Sequence, residues 1–327
     1  MEKTLPWPLP IWRGVITSLL CLISSMGISS PPAREGSGVG FHFPKQIPAG
    51  NYSGICPIGG DLFAVVDDKN ADDGFYVFRL AFDSMKSRIT EAENMGYRSS
   101  GKANRDMEGI CYRPSTRTLF ISGEADNEVY EYSLDGRRTG RRLAMPPEFK
   151  RARHNLGLES LTYDTLSHQF FTTTEQALPG EELLRIQAFG DDLQPTCQYR
   201  YRPDAPISRK YYHGVSALCA TGDGRLLVLE RQVRVPRLKL DAETVIRLYE
   251  VHPSLPSDLN NGGAVLEKRL LTEFKTRLTL TGRKFANYEG MCLLPSIEGE
   301  GPILLLIADS QNQYKNVLRD WFYLLRL

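Results

Sequence analysis

No two of the six cysteines form a C-x-x-C pair and the five histidines are scattered, so the sequence encodes neither a zinc clamp nor a zinc-protease helix. A net charge of +1 leaves out the electrostatic footprint of a nucleic-acid binder. Phosphate-binding P-loops and dinucleotide fingerprints are absent as well. Gly214-Val215-Ser216-Ala217-Leu218 lacks the last glycine of a nucleophile elbow. Cys111 and Arg117 have the spacing of a thiol phosphatase loop, but no cradle glycines lie between them. The apolar run from Gly14 to Ile28 is shorter than the ~20 residues that span a bilayer comfortably.

That run follows Lys3 and Arg13 and precedes polar, Pro- and Gly-containing sequence, the layout of a secretory signal. Residues 1–35 are therefore expected to be a signal peptide or N-terminal anchor and linker, and the protein to be exported to the periplasm or the extracellular space. Beyond them the chain has ample material for a core, being 41% apolar with 15 Tyr and 14 Phe.

The organising feature is an internal repeat. Asn155-Leu156-Gly157-Leu158-Glu159-Ser160-Leu161-Thr162 recurs, aligned on Glu159, at Ser53-Gly54-Ile55-Cys56, Glu108-Gly109-Ile110-Cys111, Ser216-Ala217-Leu218-Cys219 and Glu289-Gly290-Met291-Cys292. Each copy runs into an apolar stretch ending in an acid: Asp67, Glu124, Glu175, Glu230 and Asp309. A period of roughly 50 to 70 residues signals a propeller or solenoid. Strand and turn signals supply about four strands per copy, the composition of a propeller blade. The expected fold is an all-β propeller of five visible blades occupying residues 40–327, with a degenerate sixth between Arg231 and Asn287 as the alternative. The last copy is one strand short, so Phe41 to Ile47 is expected to pair with Phe322 to Leu327 and close the ring. Four cysteines share one repeat position and cannot all pair with one another, which makes them buried small hydrophobes.

In a propeller the first strand of every blade lines the central channel. Ser53, Glu108, Glu159, Ser216 and Glu289 should therefore form one ring, with Asp67, Glu124, Glu175, Glu230 and Asp309 forming a second. Carboxylates so crowded raise one another's pKa unless cations sit among them. Hard oxygen ligands without His or Cys suit calcium, giving Glu108, Glu159, Glu289, Asp67, Glu124, Glu175, Glu230 and Asp309 as candidate ligands. The competing reading makes them structural brackets that accept hydrogen bonds from the next blade's amides. The loop from Asp67 to Gly74 departs from the EF-hand spacing and reads as a solvated turn. Basic residues precede several first strands, and Arg105, Arg153, His154, Asn155, His213, Arg231 and Lys284 are the candidates for binding a small anionic ligand such as a phosphate ester.

Three segments carry a family resemblance. Arg153-His154-Asn155-Leu156-Gly157-Leu158-Glu159, then Gly214 to Leu218 running into Gly224 to Arg231, and Asn287 to Met291 with Ile307 to Asn312 resemble, in order, signatures of the phytase-like family. These are exported bacterial proteins labelled as having the esterase-like activity of phytase, and the resemblance runs from about residue 40 to the C-terminus. Glu159 lies in the strongest match and is the candidate catalytic residue, with Arg153 and Asn155 upstream to orient an anion. Two function classes follow for a monomer. One is a calcium-dependent phosphomonoester hydrolase or esterase. The other is a non-catalytic propeller that binds a ligand or protein on its channel rim.

Overall fold

A computed structural model describes residues 38–43, 45–83, 87–237, 240–253, 265–280, 284–294, 301–310 and 322–327. The expected signal or anchor at residues 1–35 lies outside them. Among the described residues, regular structure is β throughout apart from one 3-10 turn, Pro147–Arg151, and no helix is long and apolar enough to cross a membrane.

Five antiparallel sheets of four strands make the ring. Strand β1 (Val39–Phe41) belongs to the last of them. Blade one is β2 (Tyr52–Gly59), β3 (Leu62–Asp67), β4 (Asp72–Asp83) and β5 (Arg88–Ala103). Blade two is β6 (Met107–Arg113), β7 (Thr118–Gly123), β8 (Glu128–Ser133) and β9 (Arg138–Arg142). Blade three is β10 (Leu158–Asp164), β11 (Gln169–Thr174), β12 (Leu184–Phe189) and β13 (Pro195–Tyr201). Blade four is β14 (Tyr212–Ala220), β15 (Leu226–Arg234), β16 (Glu243–Val251) and β17 (Lys268–Arg277), so the long interval before Asn287 feeds the fourth sheet and adds no sixth. Blade five is β18 (Asn287–Leu293), β19 (Ile303–Asp309), β20 (Phe322–Arg326) and β1.

The first strands β2, β6, β10, β14 and β18 each lie against the next, and β18 meets β2 again. Their close approach explains the small residue that follows each ring position. A Cβ on Gly109 would sit 2.5 Å from the Leu161 amide nitrogen, and one on Gly54 would sit 2.5 Å from the Glu108 carbonyl oxygen. Outside the channel, apolar side chains fill each junction between blades. Phe63, Phe78 and Phe322 share one such core between blades one and five, and Phe120, Phe149 and Phe170 share another between blades two and three. Burying each of these rings is worth roughly 1.5–3 kcal/mol.

Cysteines join the same cores. Cys56, Cys111, Cys219 and Cys292 are free, buried and packed in the junction with the following blade. Burial pushes the Cys219 thiol up to about 12, so at neutral pH it is an apolar filler. In the copy without cysteine, the Thr162 hydroxyl accepts a hydrogen bond from the Ala220 amide of blade four at 2.9 Å.

Both ends of the chain close the ring, as expected, but the N-terminal strand is shifted. Val39, Gly40 and Phe41 pair with Leu324, Tyr323 and Phe322. The chain then turns, with the Ile47 amide donating to the Phe43 carbonyl at 3.0 Å. Phe43 still packs on Phe322, with ring centroids 6.2 Å apart.

Candidate cation site in the propeller channel

Every ring residue on the first strands sits at a β-bulge. Pairing shifts between Tyr52 and Ile55, Met107 and Ile110, Leu158 and Ser160, Val215 and Ala217, and Tyr288 and Gly290, placing Ser53, Glu108, Glu159, Ser216 and Glu289 at the break. A bulge turns one side chain away from the normal alternation, and here the repeated bulge turns five of them toward one axis.

The same pairings set the second ring. Tyr52 faces Asp67, Met107 faces Gly123, Leu158 faces Thr174, Val215 faces Glu230 and Tyr288 faces Ala308. Side chains alternate along a strand, so the residue after each of these faces the channel. The second ring is therefore Asp68, Glu124, Glu175, Arg231 and Asp309. Aligning apolar runs on their final acid is one residue out of step in blades one and four. Asp67 instead accepts a backbone hydrogen bond from Lys69 through Oδ1, and burial raises its pKa. Glu230 points away from the axis and accepts from Tyr201 Oη, Lys268 Nζ and the Asp204 amide at 2.6, 2.6 and 2.9 Å.

Arg231 thus stands where the four other blades have acids. Its side chain is 5% exposed, with Nη2 lying 3.1 Å from Glu159 Oε1 and 2.9 Å from Glu175 Oε1, and Nη1 bonded to Glu289. Asn287 also donates to Glu289 at 2.7 Å, and Tyr212 donates to Glu175. Burial opposes charge on the guanidinium, but Glu289, Glu175 and Glu159 outweigh it and push its pKa up. Burial likewise raises Glu159 and Glu175, because one cation cannot neutralise three desolvated carboxylates. Arg231 is therefore the counter-ion of the channel and not a rim residue.

Glu124 behaves as a bracket. Its Oε1 accepts from the Gly157 amide of the next blade at 2.8 Å, and burial pushes its pKa up to about 7. Gly157 and Gly214 leave room for these bent glutamates, since a Cβ on Gly214 would meet Glu175 Cγ at 2.5 Å. Blade two differs. The corresponding position holds Asp106, in left-handed backbone at φ 58°, and the preceding second-ring residue is the shorter Asp68.

That exchange creates a cluster. One carboxylate oxygen from each of Asp68, Asp106 and Glu108 falls within 4.8 Å of the others. Lys69 bonds Asp106 and lies 2.7 Å from Asp68 Oδ2, while Asp68 Oδ1 is buried with no hydrogen-bond partner. Glu108 is 7% exposed, and among the described residues its carboxylate meets no hydrogen-bond donor or cation. Burial, then Glu159, Asp68 and Glu289, push its pKa well above the ordinary range, and burial raises Asp68 to about 7. An all-oxygen donor set with an unpartnered buried carboxylate fits a hard divalent cation.

The first and second rings together carry seven carboxylates (Glu108, Glu159, Glu289, Asp68, Glu124, Glu175, Asp309) against Arg231. Asp309 is buried beside the pairing of β18 with β19. Sequence reasoning found Glu108 but missed Asp68 and Asp106. The available signal was Asp106, an acid at a position where other copies have Gly157, Gly214, Asn51 and Asn287.

The remaining basic candidates divide in two. Arg105 is buried, over the Tyr130 ring, and bonds Asp126 at 2.8 Å and the Ile121 carbonyl at 3.1 Å, so it braces blade two. Arg153, His154, Asn155 and Lys284 are exposed on the rim where first strands begin. Among the described residues the Arg153 and Lys284 side chains have no acidic partner. Arg153 and His213 line a cleft of about 190 Å³ with Glu175, Glu181, Glu182 and Pro203, and burial lowers the His213 pKa.

The model of the family Phytase-like, described as "Esterase-like activity of phytase", matches residues 47–311. No curated protein matches the chain. Among solved structures, a luciferin-regenerating enzyme is 10% identical, covering 89% of this chain and 96% of that one, with a TM-score of 0.45. A streptogramin B lyase is 10% identical with 88% and 99% covered and a TM-score of 0.42, and the Malassezia sympodialis allergen Mala s 1 is 11% identical with 84% and 77% covered and a TM-score of 0.42. At such identities and scores none of them speaks to chemistry.

Proposed function

The chain belongs to the phytase-like family, and from that membership and the channel we propose that it is a calcium-dependent hydrolase of phosphomonoesters. The observation that carries this reading is Glu108, a carboxylate buried without a partner among the described residues and converging with Asp68 and Asp106. Those three would hold the ion. Calcium accepts six to eight oxygens in flexible geometry, so water and an ester oxygen can complete the set. When bound, such an ion draws negative oxygen ligands to itself and lowers the pKa of water.

The chain's own residues supply the rest. Arg153, His154 and Lys284 stand on the rim where Asp106 precedes its strand, placed to draw in and orient a phosphate by its charge. Arg231 holds Glu159, Glu175 and Glu289 together, so Glu159 serves as a partner of the guanidinium. The segment from Lys3 to Ile28 supports export. A second reading, a non-catalytic propeller that binds an anion on its rim, draws on the side chains of Arg153 and Lys284, which have no acidic partner among the described residues.

Thermal unfolding with calcium or chelator, alongside hydrolysis of p-nitrophenyl phosphate, separates them. At a hundred times its Kd, calcium should add about 2.7 kcal/mol of stability. Glu108→Gln should abolish both that gain and hydrolysis. Hydrolysis that ignores calcium would discard the metal, and phosphate binding without turnover would leave the binding protein.

A further inference from the structure

The Asp68, Asp106 and Glu108 cluster already has a cation at its edge. Lys69 Nζ bonds Asp106 and stands 2.7 Å from Asp68 Oδ2, so one ammonium spans two of the three carboxylates. It does not serve the third, since Glu108 has no cation beside it among the described residues. Lys69 differs from Arg231, the other cation of the channel. Arg231 is 5% exposed and fixed by three acids, whereas the Lys69 side chain is 49% exposed and sits on the solvent side of its partners. A flexible four-carbon stem with an exposed head can leave without breaking any packing.

We propose that Lys69 is a tethered competitor for the cation site, which holds Asp68 and Asp106 together when no ion is bound and swings into solvent when a divalent ion enters. The inference rests on the reading of Asp68, Asp106 and Glu108 as ligands. Three carboxylates within 4.8 Å repel strongly, and an ion-free chain needs some positive charge there. Lys69 provides one charge where a divalent ion provides two, and it leaves Asp68 Oδ1 without a partner, which the ion would supply. The ammonium therefore sets the affinity, because every binding event must first break its two contacts. It also favours divalent over monovalent ions, since a single positive charge gains little by replacing another.

Calorimetric titration of the full chain with calcium chloride tests this, using wild type, Lys69→Met and Lys69→Arg. Lys69→Met should bind calcium about tenfold more tightly than wild type, the equivalent of about 1.4 kcal/mol. Lys69→Arg, which keeps the charge and can fork between both acids, should bind no more tightly than wild type. In chelator, Lys69→Met should melt below wild type and recover on adding calcium, and Glu108→Gln added to Lys69→Met should remove that recovery. Equal calcium affinity in wild type and Lys69→Met would overturn the competitor while leaving the cation site intact. Calcium binding by Lys69→Met alone would support the competitor and defeat the proposal that wild type depends on calcium. No calcium binding by any of the three would defeat both.

Discussion

Arg231 and Glu159 are 72 residues apart in sequence, yet Nη2 of one lies 3.1 Å from Oε1 of the other inside the channel. The contact joins the second strand of blade four to the first strand of blade three, and Glu289 extends it to blade five. Removing one partner of a buried ion pair leaves uncompensated charge, which costs about 3–5 kcal/mol. Arg231→Met should lose about that much in urea unfolding at pH 7, and Arg231→Met with Glu289→Gln should regain part of it. A loss below 1 kcal/mol would mean the acids are already protonated around the guanidinium.

Glu124 gives a pH dependence with a definite sign. Its pKa of about 7 in the folded chain stands above the ordinary 4.5, so the folded state keeps a proton that the unfolded chain releases. Its contribution to stability is full below about pH 4.5 and is lost as pH rises through about 7. Glu124→Gln keeps an acceptor for the Gly157 amide and cannot titrate. Between these pH values the variant's stability should fall less steeply than wild type by up to one proton, about 1.4 kcal/mol per pH unit. Parallel curves would place the titrating proton on another acid.

Gly109 tests the ring itself. Alanine there would drive a Cβ to 2.5 Å from Leu161 N and 2.7 Å from the Ser160 carbonyl carbon, and backbone cannot step aside as a side chain can. Gly109→Ala should cost about 1–3 kcal/mol or more by overpacking, measured by chemical unfolding. Gly140→Ala, on the exposed last strand of blade two with φ 87° and nothing near its Cβ position, would report backbone strain alone.

Phe322 carries the closure. It pairs with Phe41, packs on Phe43 and is buried in the core shared with blade one. Phe322→Ala should cost about 3–5 kcal/mol, and amide exchange should then speed up in β1 and β20 before the inner strands. Uniform exchange throughout the ring would show that the ends are not where it opens.

Much of this was legible in the residues. A small residue after Ser53, Glu108 and Glu289 and a buried Cys two positions further on are local consequences of inner strands packing backbone to backbone, so they recur in sequence and reveal the blades. The first acid ring follows directly, because the bulge repeats with the motif. The second ring does not, because the count of residues from one strand to its partner varies with the turn between them. Only pairing distinguishes Asp68 from Asp67 and Arg231 from Glu230, and a one-residue slip sends a side chain to the opposite face. The charge balance of the channel was equally hidden. Arg231 reads as a rim cation in sequence and becomes the central counter-ion only when blades three, four and five meet around it. Asp106 draws meaning from Asp68 and Lys69 across the junction of blades one and two, a contact between consecutive blades that their packing alone decides.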